Sequence, residues 1–194
     1  MNWLAHLFLS KPTVADRLGN ILADLVKGKN RQNLNPRFNS GIECHLLIDS
    51  FTDRHLIVKR SKARINPEYK KYSGILVDIF YDLILARNWQ KYDRGSLSEF
   101  TEEIYSSFQN NLNDIPIPAR KTIEQMIGEK WLDSYYSISG VEKGLIRIKT
   151  RLSAKHSHTF VVKDFIEQLE VNYQGFEADF NVFFPEIIDY LQKR

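Results

Sequence analysis

Two carboxylates four residues apart in a segment with no polar face pose the first chemical question. Asp78 and Asp82 sit in Ser73-Gly-Ile-Leu-Val-Asp-Ile-Phe-Tyr-Asp-Leu-Ile-Leu-Ala-Arg-Asn-Trp89, where Ile75, Leu76, Val77, Ile79, Phe80, Tyr81, Leu83, Ile84 and Leu85 cover every helical direction. Such all-round apolar character predicts a helix buried on all sides. Residues at i and i+4 face the same way, so the two charges repel, and burying either charge alone is costly. The pair therefore needs a shared proton, a cationic partner or a metal ion. A second row repeats the pattern: His45, Asp49 and Asp53 step by four along Gly41 to His55, with Leu46, Leu47, Ile48 and Phe51 on the other directions. An imidazole and carboxylates on one stripe can converge on one cation, and the same stripe can equally be the solvated face of an amphipathic helix.

Other candidates are open in the same way. Asp24 lies among Leu18, Ile21, Leu22 and Leu25 and reads either as a site residue or as a half-exposed acid near a helix end. His6, inside Trp3-Leu-Ala-His-Leu-Phe-Leu9, could complete a ligand shell or be a satisfied core histidine. Lys59, Arg60, Lys62 and Arg64 suit the negative end of a helix dipole, and could instead dock an acidic partner. His156 and His158, beside Lys155 in a Ser-containing run, are expected as exposed connector residues.

The elements that must position these residues are helical throughout, since strand alternation is scarce and helical spacing recurs. We expect an all-α, single-domain helical bundle over residues 1–194. Helices are predicted from Thr13 to Lys27 with Gly28 as C-cap, from Gly41 to Ile65, and from 74 to 89. Between the first two lies a polar loop, Asn30 to Asn39. Ser96-Leu-Ser-Glu99 opens a helix to Leu112 as a capping box, and further helices run from Pro118 to Trp131, from a Ser139/Glu142 capping box to Leu152, and from Val161 to the end. Pro185 should kink or split the last of these. Phe176, Phe180, Phe183 and Phe184 follow 3-to-4 spacing and read as core.

Composition narrows the chemistry. A net charge of +3 makes no demand for nucleic acid, one cysteine (Cys44) excludes an internal disulfide framework, and no segment has the length and apolarity of a membrane span, so a cytoplasmic setting is expected. Phosphate-loop, dinucleotide-binding and nucleophile-elbow motifs are missing. An oxygen-rich set with histidine suits Mn²⁺, Mg²⁺ or Fe better than a structural zinc site.

Five pieces together resemble the acyl carrier protein phosphodiesterases, all-helical relatives of the HD-type metal-dependent phosphohydrolases: Asn2-Trp-Leu-Ala-His6-Leu, Gly19-Asn-Ile-Leu-Ala-Asp24, His45-x-x-x-Asp49-x-x-x-Asp53, Val77-Asp78-x-x-x-Asp82 with Trp89, and Trp131-Leu-x-x-Tyr135. The resemblance implies an HD-phosphohydrolase-like bundle that removes 4′-phosphopantetheine from the serine of holo acyl carrier protein, with Mn²⁺ as the ion. It implies ligation by Asp24, His45, Asp49 and Asp78, with His6 completing the shell. Asp53 and Asp82 would ligate, orient a ligand or accept a proton from the attacking water. The acidic carrier would dock on Lys59, Arg60, Lys62 and Arg64. Hydrolysis of another phosphodiester and a lapsed, carrier-binding protein stay open, as does the oligomeric state. Leu83 stands where the family usually has histidine.

Overall fold

The segment with no polar face becomes the central helix, α6 (Ser73–Arg87), and Leu76, Val77, Ile79, Phe80, Tyr81, Leu83, Ile84 and Leu85 are all buried in it. The structure is a computed structural model that describes residues 1–153 and 160–194; His156, His158 and Lys155 lie outside the described residues. Around α6 pack α1 (Trp3–Phe8), α5 (Leu56–Arg64), α10 (Ile138–Ser153) and α11 (Val162–Gln192). A second layer is made by α2 (Val14–Leu25) against α4 (Asn39–Arg54), with α7 (Leu97–Asn110), α8 (Ile117–Gly128) and the short α9 (Trp131–Ser134) beyond α2. A single hydrophobic core joins the layers. No strand occurs among the described residues, and none of their helices is long and apolar enough to cross a membrane. The all-α expectation holds.

Several boundaries differ from expectation for local reasons. The predicted helix from Gly41 to Ile65 is two helices, because His55 takes an extended conformation (φ −67°, ψ 129°) and its ring accepts a hydrogen bond from Ile57 N at 3.3 Å, capping α5. The helix α2 ends at Leu25 rather than Lys27; Gly28 (φ 62°) does not cap it but opens the short α3 (Lys29–Gln32) inside the expected loop. Ser139 lies within α10 instead of capping it, and the Ser137 hydroxyl accepts from Gly140 N at 3.0 Å. Pro185 does not split α11, whose neighbours Phe183, Phe184 and Ile187 are fully buried and hold the helix through the lost hydrogen bond. The Ser96/Glu99 capping box forms as predicted.

Candidate metal centre

Three short-range decisions bring the chemistry together. The first turn of α1 has no side-chain cap of its own. Its orphan amides Leu4 N and Ala5 N donate instead to the two carboxylate oxygens of Asp82, at 2.8 and 3.1 Å. This pins α1 to α6 and aims His6 inward. Next, α2 and α4 meet at glycines: a Cβ on Gly41 would lie 2.0 Å from Asp16 O, and one on Gly19 would lie 2.3 Å from Phe38 O. Only that backbone contact lets Asn20 of α2 reach His45 of α4.

Asn20 is fully buried and organises both histidines. Its Nδ2 donates to His6 O (3.2 Å) and Ser10 Oγ (2.8 Å), which turns its Oδ1 toward the rings. That oxygen lies 2.8 Å from His6 Nδ1 and 3.0 Å from His45 Nδ1. An amide oxygen only accepts, so each Nδ1 carries a proton, and the Nε2 of each ring is the atom left to face an ion or, when protonated, to donate to a carboxylate. The rings stack with centroids 4.3 Å apart, and both Nε2 atoms face Asp49, at 3.3 Å from His6 and 3.1 Å from His45. Ligand atoms of His6, His45 and Asp49 lie within 4.8 Å of one another. With metal bonds of about 2.1 Å, neighbouring ligand atoms sit roughly 3.0 to 3.4 Å apart, which matches the two histidine–aspartate distances. The donor set therefore fits one divalent ion.

Electrostatics agree with that fit. Burial pulls the His6 imidazole below its ordinary pKa, against the opposite pull of Asp49, so it favours the neutral, ligating form. Burial opposes ionisation of Asp49, yet the hydrogen bonds of His45 and His6 outweigh it and hold this carboxyl well below the usual range. The site thus presents one ionised carboxylate to the Nε2 atoms of two imidazoles.

The other expected residues divide into two groups. Asp24 and Asp78 line the same cavity of about 170 Å³ as the triad. Asp24 accepts from Trp3 Nε1 at 3.1 Å and lies 3.8 Å from Arg151, while Asp78 faces the Met1 ammonium at 3.0 Å. That ammonium is held above its ordinary pKa: burial opposes its charge, and Asp78, Asp49 and Asp82 more than compensate. Asp53 and Asp82 are not in this cavity. Asp53 is 74% exposed and pairs with Lys62 at 3.1 Å, because the four-residue step carries it past the end of the buried stripe. Asp82 is fully buried with both oxygens on α1, so it positions His6 rather than meeting water; burial pushes its carboxyl up to about 7 against the pull of the two amides. Asp78 and Asp82 thus meet the predicted demand for partners separately, one through an ammonium and one through backbone amides. Arg60 and Arg64 bind the buried Asp179, and Lys62 binds Asp53, so three of the four cations expected to dock a partner are committed within the chain.

A family model described as acyl carrier protein phosphodiesterase matches residues 1–187. The chain belongs to this family. Among its relatives, the acyl carrier protein phosphodiesterase of Serratia proteamaculans (strain 568) is 30% identical over 192 residues, 97% of this chain and 96% of that protein. The protein of the same name from Yersinia pestis is 28% identical over 198 residues, covering 100% of this chain and 99% of its own. No solved structure gives a significant match. In this acyl carrier protein phosphodiesterase family member, Leu83 is fully buried in the core and is not among the residues that line the triad's cavity. Asn20 was missed by sequence reasoning. The available signal was an amide one turn before Asp24 within the same motif, and it had no assigned partner until α2 met α4.

Proposed function

We propose that this chain hydrolyses the phosphodiester linking 4′-phosphopantetheine to the serine of holo acyl carrier protein, using a divalent ion, Mn²⁺, held by His6, His45 and Asp49. The observation that carries this reading is the pair of imidazoles whose Nδ1 atoms share Asn20 Oδ1 while their Nε2 atoms face Asp49. Membership of the family supplies the substrate. When bound, a divalent ion would polarise a phosphoryl oxygen and lower the pKa of a water, so that it could give up a proton and attack phosphorus as hydroxide. The chain's residues supply the rest. Asn20 orients both imidazoles, and Asp24 and Asp78 are the remaining carboxylates of the cavity, available to complete the ligand shell or take the proton of the water. Arg151, on the cavity wall beside Asp24, offers its guanidinium to a non-bridging phosphate oxygen. Of the Lys59 to Arg64 cluster, Lys59 is the cation left to meet an acidic carrier protein; the single cysteine supports a cytoplasmic setting for the reaction.

The test is direct. Holo acyl carrier protein incubated with the Mn²⁺-treated chain should lose the mass of phosphopantetheine, and Asp49→Asn should abolish both this loss and calorimetric Mn²⁺ binding. An unchanged carrier mass with the native chain, or full Mn²⁺ binding by Asp49→Asn, overturns the reading.

A further inference from the structure

A second, larger groove of about 430 Å³ adjoins the triad's cavity and shares Asn2, Trp3, Asp24, Ile148 and Arg151 with it. Beyond these shared residues its walls are Trp131, Tyr135 and Arg147, so it continues from the place where phosphorus would sit into a region of mixed aromatic and polar character. Its chemistry selects one kind of occupant. The Arg147 guanidinium lies 4.2 Å from the centroid of the Trp131 ring, and the Trp3 ring lies 5.7 Å from it on tilted planes. With both neighbours against that indole, a nucleobase finds no bare aromatic platform. Arg147 also has a buried nitrogen, Nη2, with no hydrogen-bond partner. A buried donor without an acceptor is costly, and a neutral carbonyl entering the groove would satisfy it without bringing a second anion.

We infer that this groove is the subsite for the arm that stays on phosphorus when water attacks and the serine oxygen leaves, an extended uncharged chain carrying amide groups, with Arg147 Nη2 donating to an amide carbonyl and Trp3, Trp131 and Ile148 covering the methylenes. The assignment rests on the proposed activity for the identity of the arm, pantetheine, and on the groove itself for the rest. The walls are preformed: Asn2 Nδ2 donates to Tyr135 Oη at 2.7 Å, tying the start of the chain to the residues after α9. Trp3 binds Asp24, so occupation of the groove and the placement of a cavity carboxylate are linked through one indole.

The three tryptophans make the test self-controlled. Trp3 and Trp131 line the groove, whereas Trp89 packs on Phe8 and Phe100 elsewhere. Titrating the whole chain with pantetheine, which lacks phosphate and needs no metal, should shift the indole N–H signals of Trp3 and Trp131 and leave Trp89 still. Arg147→Met should weaken pantetheine roughly tenfold or more, the size of one hydrogen bond to a charged group. Thr150→Phe, an exposed rim substitution, should block it if Arg147→Met fails to fold. Pantetheine leaving Trp3 and Trp131 unmoved, or adenosine producing the shifts in its place, overturns the subsite even if the Mn²⁺-treated chain hydrolyses holo carrier protein. Pantetheine binding in the groove of a chain that hydrolyses nothing supports the subsite and sinks the proposed activity alone.

Discussion

Asn20 shows how one uncharged side chain sets the chemistry of its neighbours. Its carboxamide reads polarity twice: two donors fixed by His6 O and Ser10 Oγ, and one acceptor shared by two imidazole N–H groups. Replacing it with leucine keeps the bulk and removes all four bonds, freeing both rings to rotate or change tautomer. Outer partners of metal-binding histidines are worth about 10- to 100-fold in affinity. Asn20→Leu should therefore lower Mn²⁺ affinity by that factor in calorimetry, with the far-ultraviolet dichroism of a helical protein retained. Native affinity in the variant would show that the histidines do not need the amide.

At the scale of elements, the site depends on how closely two helices approach. The crossing of α2 and α4 leaves no room for a methyl group at Gly41, where the nearest neighbours are backbone atoms of Asp16 and Asn20 that have no rotamer to change. Gly41→Ala must therefore push the helices apart, carrying His45 away from Asn20. Overpacking of this kind costs typically about 1 to 3 kcal/mol, even though alanine is the better helix former. Denaturant unfolding should show that loss, and calorimetry should show weaker Mn²⁺ binding in the same variant. A variant as stable as the native chain would mean that the contact relaxes freely. The break at His55 acts in the other direction: by ending α4, it lets α5 turn its cations toward α11.

For the molecule as a whole, that turn creates an ion cluster between α5 and α11. Asp179 is fully buried on α11, accepts from Arg60 Nε (2.7 Å), Arg64 Nε (3.0 Å) and Ser61 Oγ (2.8 Å), and so ties α5 to the longest helix. Burial works against its charge, but Arg64, Arg60 and Ser61 prevail and keep its carboxyl below the ordinary range. A carboxyl depressed on folding contributes stability that is complete above about pH 4 and is lost as pH falls through the folded value. Removing both guanidiniums leaves the carboxyl buried and unpaired, so its folded pKa should rise and stability should instead fall as pH increases from about 4. Arg60→Ala with Arg64→Ala should cost on the order of 3 kcal/mol near neutral pH. Denaturant midpoints measured from pH 4 to pH 8 check it, and parallel curves for native and variant proteins would contradict the account.

The helices, the central position of α6 and the aromatic core of α11 were legible in the sequence because periodicity and side-chain polarity act locally, and Ser96/Glu99 is a complete signal within four residues. His45 and Asp49 were legible as a pair for the same reason, being one turn apart on one helix. Partnership across elements was not. The row through Asp53 and the stripe of Asp78 and Asp82 looked equivalent to the pair of His45 and Asp49, yet Asp53 is exposed beside Lys62, Asp78 faces an ammonium on the wall of the shared cavity and Asp82 holds the amides of α1. Arg60 and Arg64 read as dipole partners or as a dock for an acidic protein, and spacing gave no sign that α5 would set both on Asp179. Such choices depend on which helix faces which at a separation of a few ångströms, set by contacts such as Gly19 and Gly41 that carry no chemistry of their own. Spacing along the chain determined which residues share a face. Only the tertiary structure decided what that face meets, because hydrogen bonds and ion pairs act over about 3 Å in space, whatever their separation in sequence.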